Sequence, residues 1–336
     1  MAEVRLADVI VPELFNPYDS LSFLSKDVYY NSGVAFSDPR VTRLMNASEG
    51  GNTIVLPFWN PVDDSEAKIA SDDPETKITA DKITAGAEVA AKGYYTKAWS
   101  SMELTGALAG SDPMGVIADQ VDRYWINQID KRVLNASIGI VGDSVANHNS
   151  DLVLDVAGEA TANLVDGDVI IDARGTLGDI QENVGVIAMH SVVYTQLQKQ
   201  QLIQYVRDAD NNTMFATFNG MRVIYTDNMP TVSAGEGKTA YYTFIYGPNV
   251  FSLNMGAVDN PQAVDYDPAA GNGFGKETLY SRRCILVHPR GYKVDDSLLT
   301  NVKSGLTFAE CANGATWTRV YDNRKRIPFV AIKSLG

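Results

Sequence analysis

The sequence has little of what enzymes and secreted proteins rely on. Its 336 residues hold two cysteines, Cys284 and Cys311, with no CxxC spacing. No disulfide framework is indicated, and a reducing cytosol fits. The three histidines, His148, His190 and His288, match no metal spacing such as HExxH. There is no GxSxG elbow, no GxxxxGKS/T phosphate loop and no kinase set. No stretch approaches the ~20 apolar residues of a membrane span. The start, MAEVRLADVIVPELF, lacks the continuous apolar core of a signal peptide. Basic residues are the scarcer charge, 28 Lys and Arg against 41 Asp and Glu, for a formal net charge of −13. That balance opposes tight nucleic-acid binding, which needs cations to displace phosphate counterions. It permits lying beside DNA with little affinity, and it also favours solubility.

The weak signals for chemistry have plain alternatives. GNGFGK (Gly271 to Lys276) has neither the apolar strand before it nor the helix after it that a phosphate-cradling loop needs, and reads as a flexible connection. Asp63-Asp64, Asp72-Asp73 and Asp295-Asp296 are adjacent carboxylates in polar loops. Neighbours on an extended chain point opposite ways, so solvated charge is the better reading than a catalytic dyad. The basic clusters Arg282-Arg283 and Arg324-Lys325-Arg326 lack interleaved aromatics. A solvated turn or ion pairs between subunits account for them. No enzyme, cofactor or metal is expected.

What is present is an ordinary globular composition, 45% hydrophobic and 21% charged. At about 150 residues per domain the length suggests about two compact units. Residues 1 to about 48 read as an extended arm, broken by Pro12, Pro17 and Pro39, with apolar clusters (Val9 to Val11, Leu14-Phe15, Leu21 to Leu24) that need something else to pack on. Thr53 to Leu56 make a strand of β-branched and apolar residues, held to an edge or a bent end by Pro57 and Pro61. A highly charged stretch follows from Asp63 to Lys82, and small, β-branched and aromatic residues return from Ile83 to Leu104. Strand, long polar tip, strand: a free hairpin of this kind is marginal, so another subunit is expected to hold it.

Ser111-Asp112-Pro113 is a helix-start signal. Ile117, Val121, Tyr124, Trp125, Ile129 and Val133 then share one helical face, and the helix is expected to end near Gly139 or Gly142. Residues 150 to about 270 mix helix and strand. Asp166-Gly167-Asp168 turns into a short helix, Gly185 to Met189 is a buried strand, and Ser191 to Val206 reads as an amphipathic helix with a Ser cap. Met221 to Tyr225 and Tyr241 to Tyr246 read as strands. Gly273 to Val294 reads as a strand pair, and the chain closes with two apolar runs around a basic turn. No internal repeat is read in the chain.

This order of parts resembles the major capsid proteins of tailed bacteriophages with the Hong Kong 97-type fold. The resemblance rests on ADVIVPELFNPY for the arm, and on GGNTIVLPFWNPV through AKGYYTKAWSSMEL for an extended hairpin, the E-loop. DPMGVIADQVDRYWINQIDKRVLN matches the spine helix, and DARGTLGD with GVIAMHSVVYTQLQKQQLI the opening of the axial domain. LYSRRCILVHPRGYKV matches the return to the peripheral domain, and WTRVYDNRKRIPFVAIK the chain ending of one subgroup. It implies an α+β fold. It divides the chain into an N-terminal arm (1–49), the E-loop hairpin (50–99), a peripheral domain (100–149 and 271–300, spine helix about 113–138), an axial domain (150–270), and a C-terminal segment (301–336) packing on the axial domain.

The resemblance implies a shell subunit that self-assembles as pentamers and hexamers into the icosahedral head around double-stranded DNA. Its partners would be copies of itself, a portal, packaged DNA by proximity without specific binding, and in some phages a decoration protein. It implies no membrane partner and no cofactor, a place in the virion head, and assembly in the host bacterial cytoplasm. No long helical region precedes the arm in the sequence, so either a separate scaffolding protein is expected or such a region is removed beforehand. Inter-subunit contacts are expected at Lys68, Asp72, Asp73, Glu75, Lys77 and Lys82 of the hairpin, at Arg123, and at Arg324, Lys325 and Arg326. The type member's isopeptide cross-link has no assignable Asn here, although Lys68, Lys77 and Lys82 lie in the right loop. Encapsulins, the shells of cellular nanocompartments, share the fold and are the alternative. A third reading, an enzyme with an unrecognised site, has no clustered motif behind it.

Overall fold

The computed structural model describes residue 29 and residues 32–46, 51–70, 72–73, 75, 77–158, 164–207, 213–234, 237–295 and 304–335. The apolar clusters expected to dock the arm, Val9 to Leu24, lie outside the described residues. In chain order the elements begin with β1 (Ala35–Phe36), α1 (Pro39–Asn46), β2 (Thr53–Trp59), β3 (Ala85–Ala91), β4 (Gly93–Met102), α2 (Glu103–Ala109) and α3 (Pro113–Asn147). Then come β5 (Val153–Asp155), α4 (Gly167–Gly175), β6 (Val186–Met189), α5 (Ser191–Lys199), β7 (Gln204–Arg207), β8 (Thr213–Phe218), β9 (Met221–Tyr225), β10 (Thr231–Ser233), β11 (Thr239–Tyr246) and β12 (Phe251–Gly256). The last are β13 (Gln262–Asp267), a single turn α6 (Ala270–Gly273), β14 (Lys276–Pro289), β15 (Tyr292–Val294), α7 (Phe308–Ala312), β16 (Trp317–Arg319) and β17 (Phe329–Leu335).

Two sheets organise the molecule. The first runs β1-β12-β14-β13, with β4 on the other side of β14. The second runs β5-β17-β11-β6-β9-β8-β7, with β10 also on β11. Separate pairs are β2 with β3 and β15 with β16. Alternation along the second sheet's central strands gives it two apolar faces. Phe244, Tyr246, Phe329 and Ala331 face one cluster, together with Val133, Ala136 and Ile140 of α3. Ile245, Val330 and Ile332 face the other, with Val169, Ile170, Val193 and Leu197 of α4 and α5.

Helix α3 ties the sheets together. Asp112 caps it by accepting the Met114 N–H, with Pro113 in the first turn. Its first half lays Val121, Trp125 and Ile129, four residues apart, on Leu253, Leu279 and Ile285 of the first sheet. Trp125 Nε1 also donates to Ser281 Oγ at 2.9 Å. Its second half packs on the second sheet, where the Ser137 and Tyr246 hydroxyls lie 2.9 Å apart.

The helix has 35 residues and spans roughly 52 Å at ~1.5 Å per residue, so the expected end near residue 138 is wrong. Gly139 and Gly142 are close-packing positions and not stops. A Cβ on Gly139 would stand 2.3 Å from the Cys311 carbonyl oxygen and 2.4 Å from Trp317 Nε1, and one on Gly142 3.0 Å from the Gly314 Cα. The second sheet and residues 308–319 enclose this half, so it has no continuous polar face to read. The chain leaves the helix at His148, followed by Asn149 and Ser150 with φ of 52° and 58°.

Other expectations need correction. Helix α5 stops at Lys199, and Gln204 to Arg207 is strand. Its cap is His190, whose Nδ1 accepts the Val192 N–H, and not Ser191. Residues 93–99, the end of the hairpin expected over 50–99, belong with residues 100–102 to the first sheet, with Gly93 opposite Ile285 and Met102 opposite Lys276. The arm holds an eight-residue helix opened by Pro39. β14 and β15 follow one another without pairing, and β15 pairs with β16 instead. The turn between them is taken elsewhere: Gly291, at φ 81°, donates to Glu88, and the Tyr292 carbonyl accepts from His288. Residues 304–335 divide in two. β17 enters the second sheet between β5 and β11, whereas α7 and the turn after it pack on α3.

Candidate assembly surface

Hairpin β2–β3 has one face on the body and one in solvent. Ile54 pairs with Ala90, Leu56 with Glu88 and Phe58 with Gly86. Ile54 and Ala90 join Val41, Met45, Cys284 and Leu286 in a buried cluster. On the opposite face Val55 is 54% and Trp59 69% exposed. Phe58 leans on Gly86 so closely that a Cβ there would stand 2.6 Å from its Cζ. The same ring meets Tyr321 edge-on at 5.2 Å. Buried Glu88 accepts the Gly291 N–H at 3.0 Å. Burial, reinforced by the Glu88 carboxylate, pushes the Tyr321 phenol up to about 12. Buried Lys92 donates to the Leu44 carbonyl at 3.2 Å. Four contacts therefore fix the base of the hairpin to the body, from α1 to the β14–β15 turn.

Beyond the base the pairing continues one step, through the Asn60 N–H to the Thr84 carbonyl at 2.8 Å and Asn60 Nδ2 to Thr84 Oγ1 at 2.9 Å. Past that step, the described tip residues 61–83 have no regular secondary structure and are exposed. The six tip residues expected at contacts, Lys68, Asp72, Asp73, Glu75, Lys77 and Lys82, all lie here. The reading of the sequence missed the apolar partners beside them: Ile69 and Ile78 are 93% and 80% exposed. Their signal was a recurring Lys-Ile pair at 68, 77 and 82, obscured by the charge around it.

The remaining candidates lie on other elements. Arg123 is exposed on α3 beside Asp122, which pairs with Arg283 at 3.4 Å. Arg324 is turned inward. Its Nε donates to the Asp151 carbonyl, and its Nη1 and Nη2 to the Ile327 and Phe329 carbonyls, at 2.8–3.0 Å. Burial lowers its guanidinium to about 10, a shift that Asp151 opposes. Lys325 pairs with Asp179 at 2.9 Å, and Arg326 is exposed.

His190, Ser191 and Asp227 form a cluster that resembles a catalytic set only in composition. The Ser191 hydroxyl donates to Asp227, and His190 Nδ1 is committed to the Val192 N–H. These side chains start α5. Among the described residues no group of three or more His, Cys, Asp or Glu is placed to hold a metal ion, and no helix is long and apolar enough to cross a membrane.

The family described as Gp13-like, major capsid protein 13-like, matches residues 41–330. The major capsid protein of Bacillus phage SPP1 is 32% identical over 327 residues, covering 97% of this chain and 96% of its own. Among solved structures, the capsid of Ralstonia phage GP4 superposes with a TM-score of 0.60 at 12% identity, over 97% of this chain and 96% of that one. The Cyanophage Pam1 capsid asymmetric unit gives 0.58 at 10% identity, over 96% of each. At such identities the likeness to the two structures is one of fold.

Proposed function

The chain belongs to the Gp13-like family of phage major capsid proteins, with the Hong Kong 97-like fold, and from that premise we propose how its parts build a head. The matched relatives are phage capsid proteins, and the encapsulin alternative is not favoured. In the proposed division, β2–β3 with its tip is the E-loop. α3 is the spine helix of a peripheral unit made with the first sheet, and the second sheet with α4 and α5 is the axial unit. The subunit acts by packing against copies of itself as pentamers and hexamers, with no reaction to catalyse. Scaffolding and portal proteins are its expected partners during assembly in the host cytoplasm, with a decoration protein as an optional addition. A net charge of −13 suits an inner wall that packaged DNA does not adhere to.

One observation carries this reading: a hairpin fixed at its base carries a tip whose described residues form no strand and whose isoleucines Ile69 and Ile78 are nearly bare. Apolar side chains at such exposure favour burial on a partner. Deleting residues 63–82 should leave the fold intact by circular dichroism and abolish shells in electron micrographs of the expressed protein. Normal shells from the deletion would refute the E-loop assignment.

A further inference from the structure

The tip carries a short motif three times: Lys68-Ile69-Ala70-Ser71-Asp72, Lys77-Ile78-Thr79-Ala80-Asp81 and Lys82-Ile83-Thr84-Ala85-Gly86. Ile83 adjoins the paired base and is 50% exposed, while Ile69 and Ile78 stand almost free at 93% and 80%. Each presents an apolar branch next to an ammonium group. A complementary seat needs apolar walls with carboxylates at the rim.

Such a seat exists at the junction of β4, α2 and α3, a groove of about 410 Å³. Met102, Ala107 and Met114 supply apolar wall, and Glu103, Asp112 and Glu277 supply the carboxylates. Glu103 and Asp112 are exposed, and Glu277 is half-buried. Glu103 also accepts the Tyr266 hydroxyl at 3.3 Å, and Asp112 the Met114 N–H at 3.0 Å.

The groove and the tip lie at opposite ends of β14. Glu277 is at its beginning, beside Ser101. The hairpin base meets its far end, through Ala90 against Cys284 and Leu286 and through Glu88 to Gly291. Going from Ala90 to Glu88 the hairpin moves past that far end, so it points away from the groove of its own chain. The 14 residues of β14 span roughly 45 Å at ~3.3 Å per residue. Complementary surfaces at opposite ends make a head-to-tail contact, the heterologous kind that closes rings and continues through a lattice.

We propose that this groove receives the hairpin tip of a second copy, with Ile69 or Ile78 against Met102 and Met114 and the adjoining lysine on Glu103 and Glu277. The proposal rests on the reading that the hairpin reaches a neighbouring subunit. Disulfide trapping in the full-length assembled protein tests it, because both native cysteines are buried. Shells carrying Ile78→Cys with Ala107→Cys, or Ile69→Cys with Ala107→Cys, should oxidise to an inter-subunit ladder on non-reducing gels, and the single variants should not. In parallel, Glu103→Lys with Glu277→Lys should lower shell yield about tenfold, the factor that a loss of about 1.4 kcal/mol per contact produces. Adding Lys68→Glu and Lys77→Glu should restore it. Shells that oxidise to no ladder, or only to intrachain disulfides, overturn the groove assignment, as does wild-type yield from the charge-reversed groove. If the 63–82 deletion is assembly-dead while these tests are negative, the hairpin reading survives and only its seat is wrong.

Discussion

The ring of Phe58 stands edge-on to Tyr321, with centroids 5.2 Å apart and planes at 90°, while it covers the bare Cα of Gly86 on the partner strand. Phe58 is thus gripped from two sides, by a strand neighbour and by a residue near the end of the chain. This grip is one of the contacts that hold the hairpin base to the body.

Gly86→Ala should therefore disturb the base of the hairpin. Its Cβ would meet Phe58 Cζ at 2.6 Å, and the ring is held against Tyr321. The expected cost is about 1–3 kcal/mol, as for other overpacked positions. Phe58→Ala loses packing of its own, but in its presence Gly86→Ala should cost little. A double-mutant cycle by urea denaturation measures this, and additive effects would contradict it.

Gly139→Ala should be worse than a helix-propensity argument suggests. In an exposed helix this change stabilises by up to about 1 kcal/mol. Here the new methyl would collide with the Cys311 carbonyl and the Trp317 indole, which are themselves joined by a 2.9 Å hydrogen bond. We expect a lower melting temperature and a shifted tryptophan emission. An unchanged or raised melting temperature would show that residues 308–319 move aside freely.

Asp151→Ala should cost on the order of 3 kcal/mol, because it leaves a buried cation without its partner. Asp151 pairs with Arg319 at 2.6 Å, and the Arg319 side chain is only 5% exposed. Asp151 also accepts from Ser144 Oγ, so the change loosens the end of α3. Asp151→Asn keeps an acceptor for both and should cost less. Equal melting curves for the two variants would remove the charge argument.

Acid should weaken the fold through His288. Its Nε2 donates to the Tyr292 carbonyl at 3.0 Å, and burial holds the ring down at about 4 against an ordinary 6.5. The folded state resists protonation and the unfolded chain does not. This contribution is therefore complete above pH 6.5 and is lost as pH falls from 6.5 toward 4, by up to roughly 3 kcal/mol. His288→Gln keeps a donor and does not titrate, so its stability should fall less over that window. Parallel slopes for the two proteins between pH 6.5 and 4.5 would exclude His288 as the source.

The sequence by itself determined the elements whose signals are local. Asp112 and Pro113 open α3 where a cap and a proline at the first turn predict it, since both act within four residues of backbone. The strands of the hairpin follow from β-branched and small residues around a charged insert. Val186–Met189 and Met221–Tyr225 are strands by composition alone. Tertiary structure decided what depends on distant partners. α3 runs through Gly139 because Cys311 of α7 and Trp317 of β16 pack against its bare Cα, which no local pattern reveals. β15 passes over β14 for β16 because its turn already serves Glu88, 203 positions away in the chain. Arg324 turns inward because carbonyls from three separate residues converge on it, although its neighbours suggested a solvated basic turn. The Lys-Ile pairs were in the sequence throughout. Only the exposure of their isoleucines, and a groove at the far end of β14, gave them a meaning, because burial is a property of the folded molecule and not of the chain.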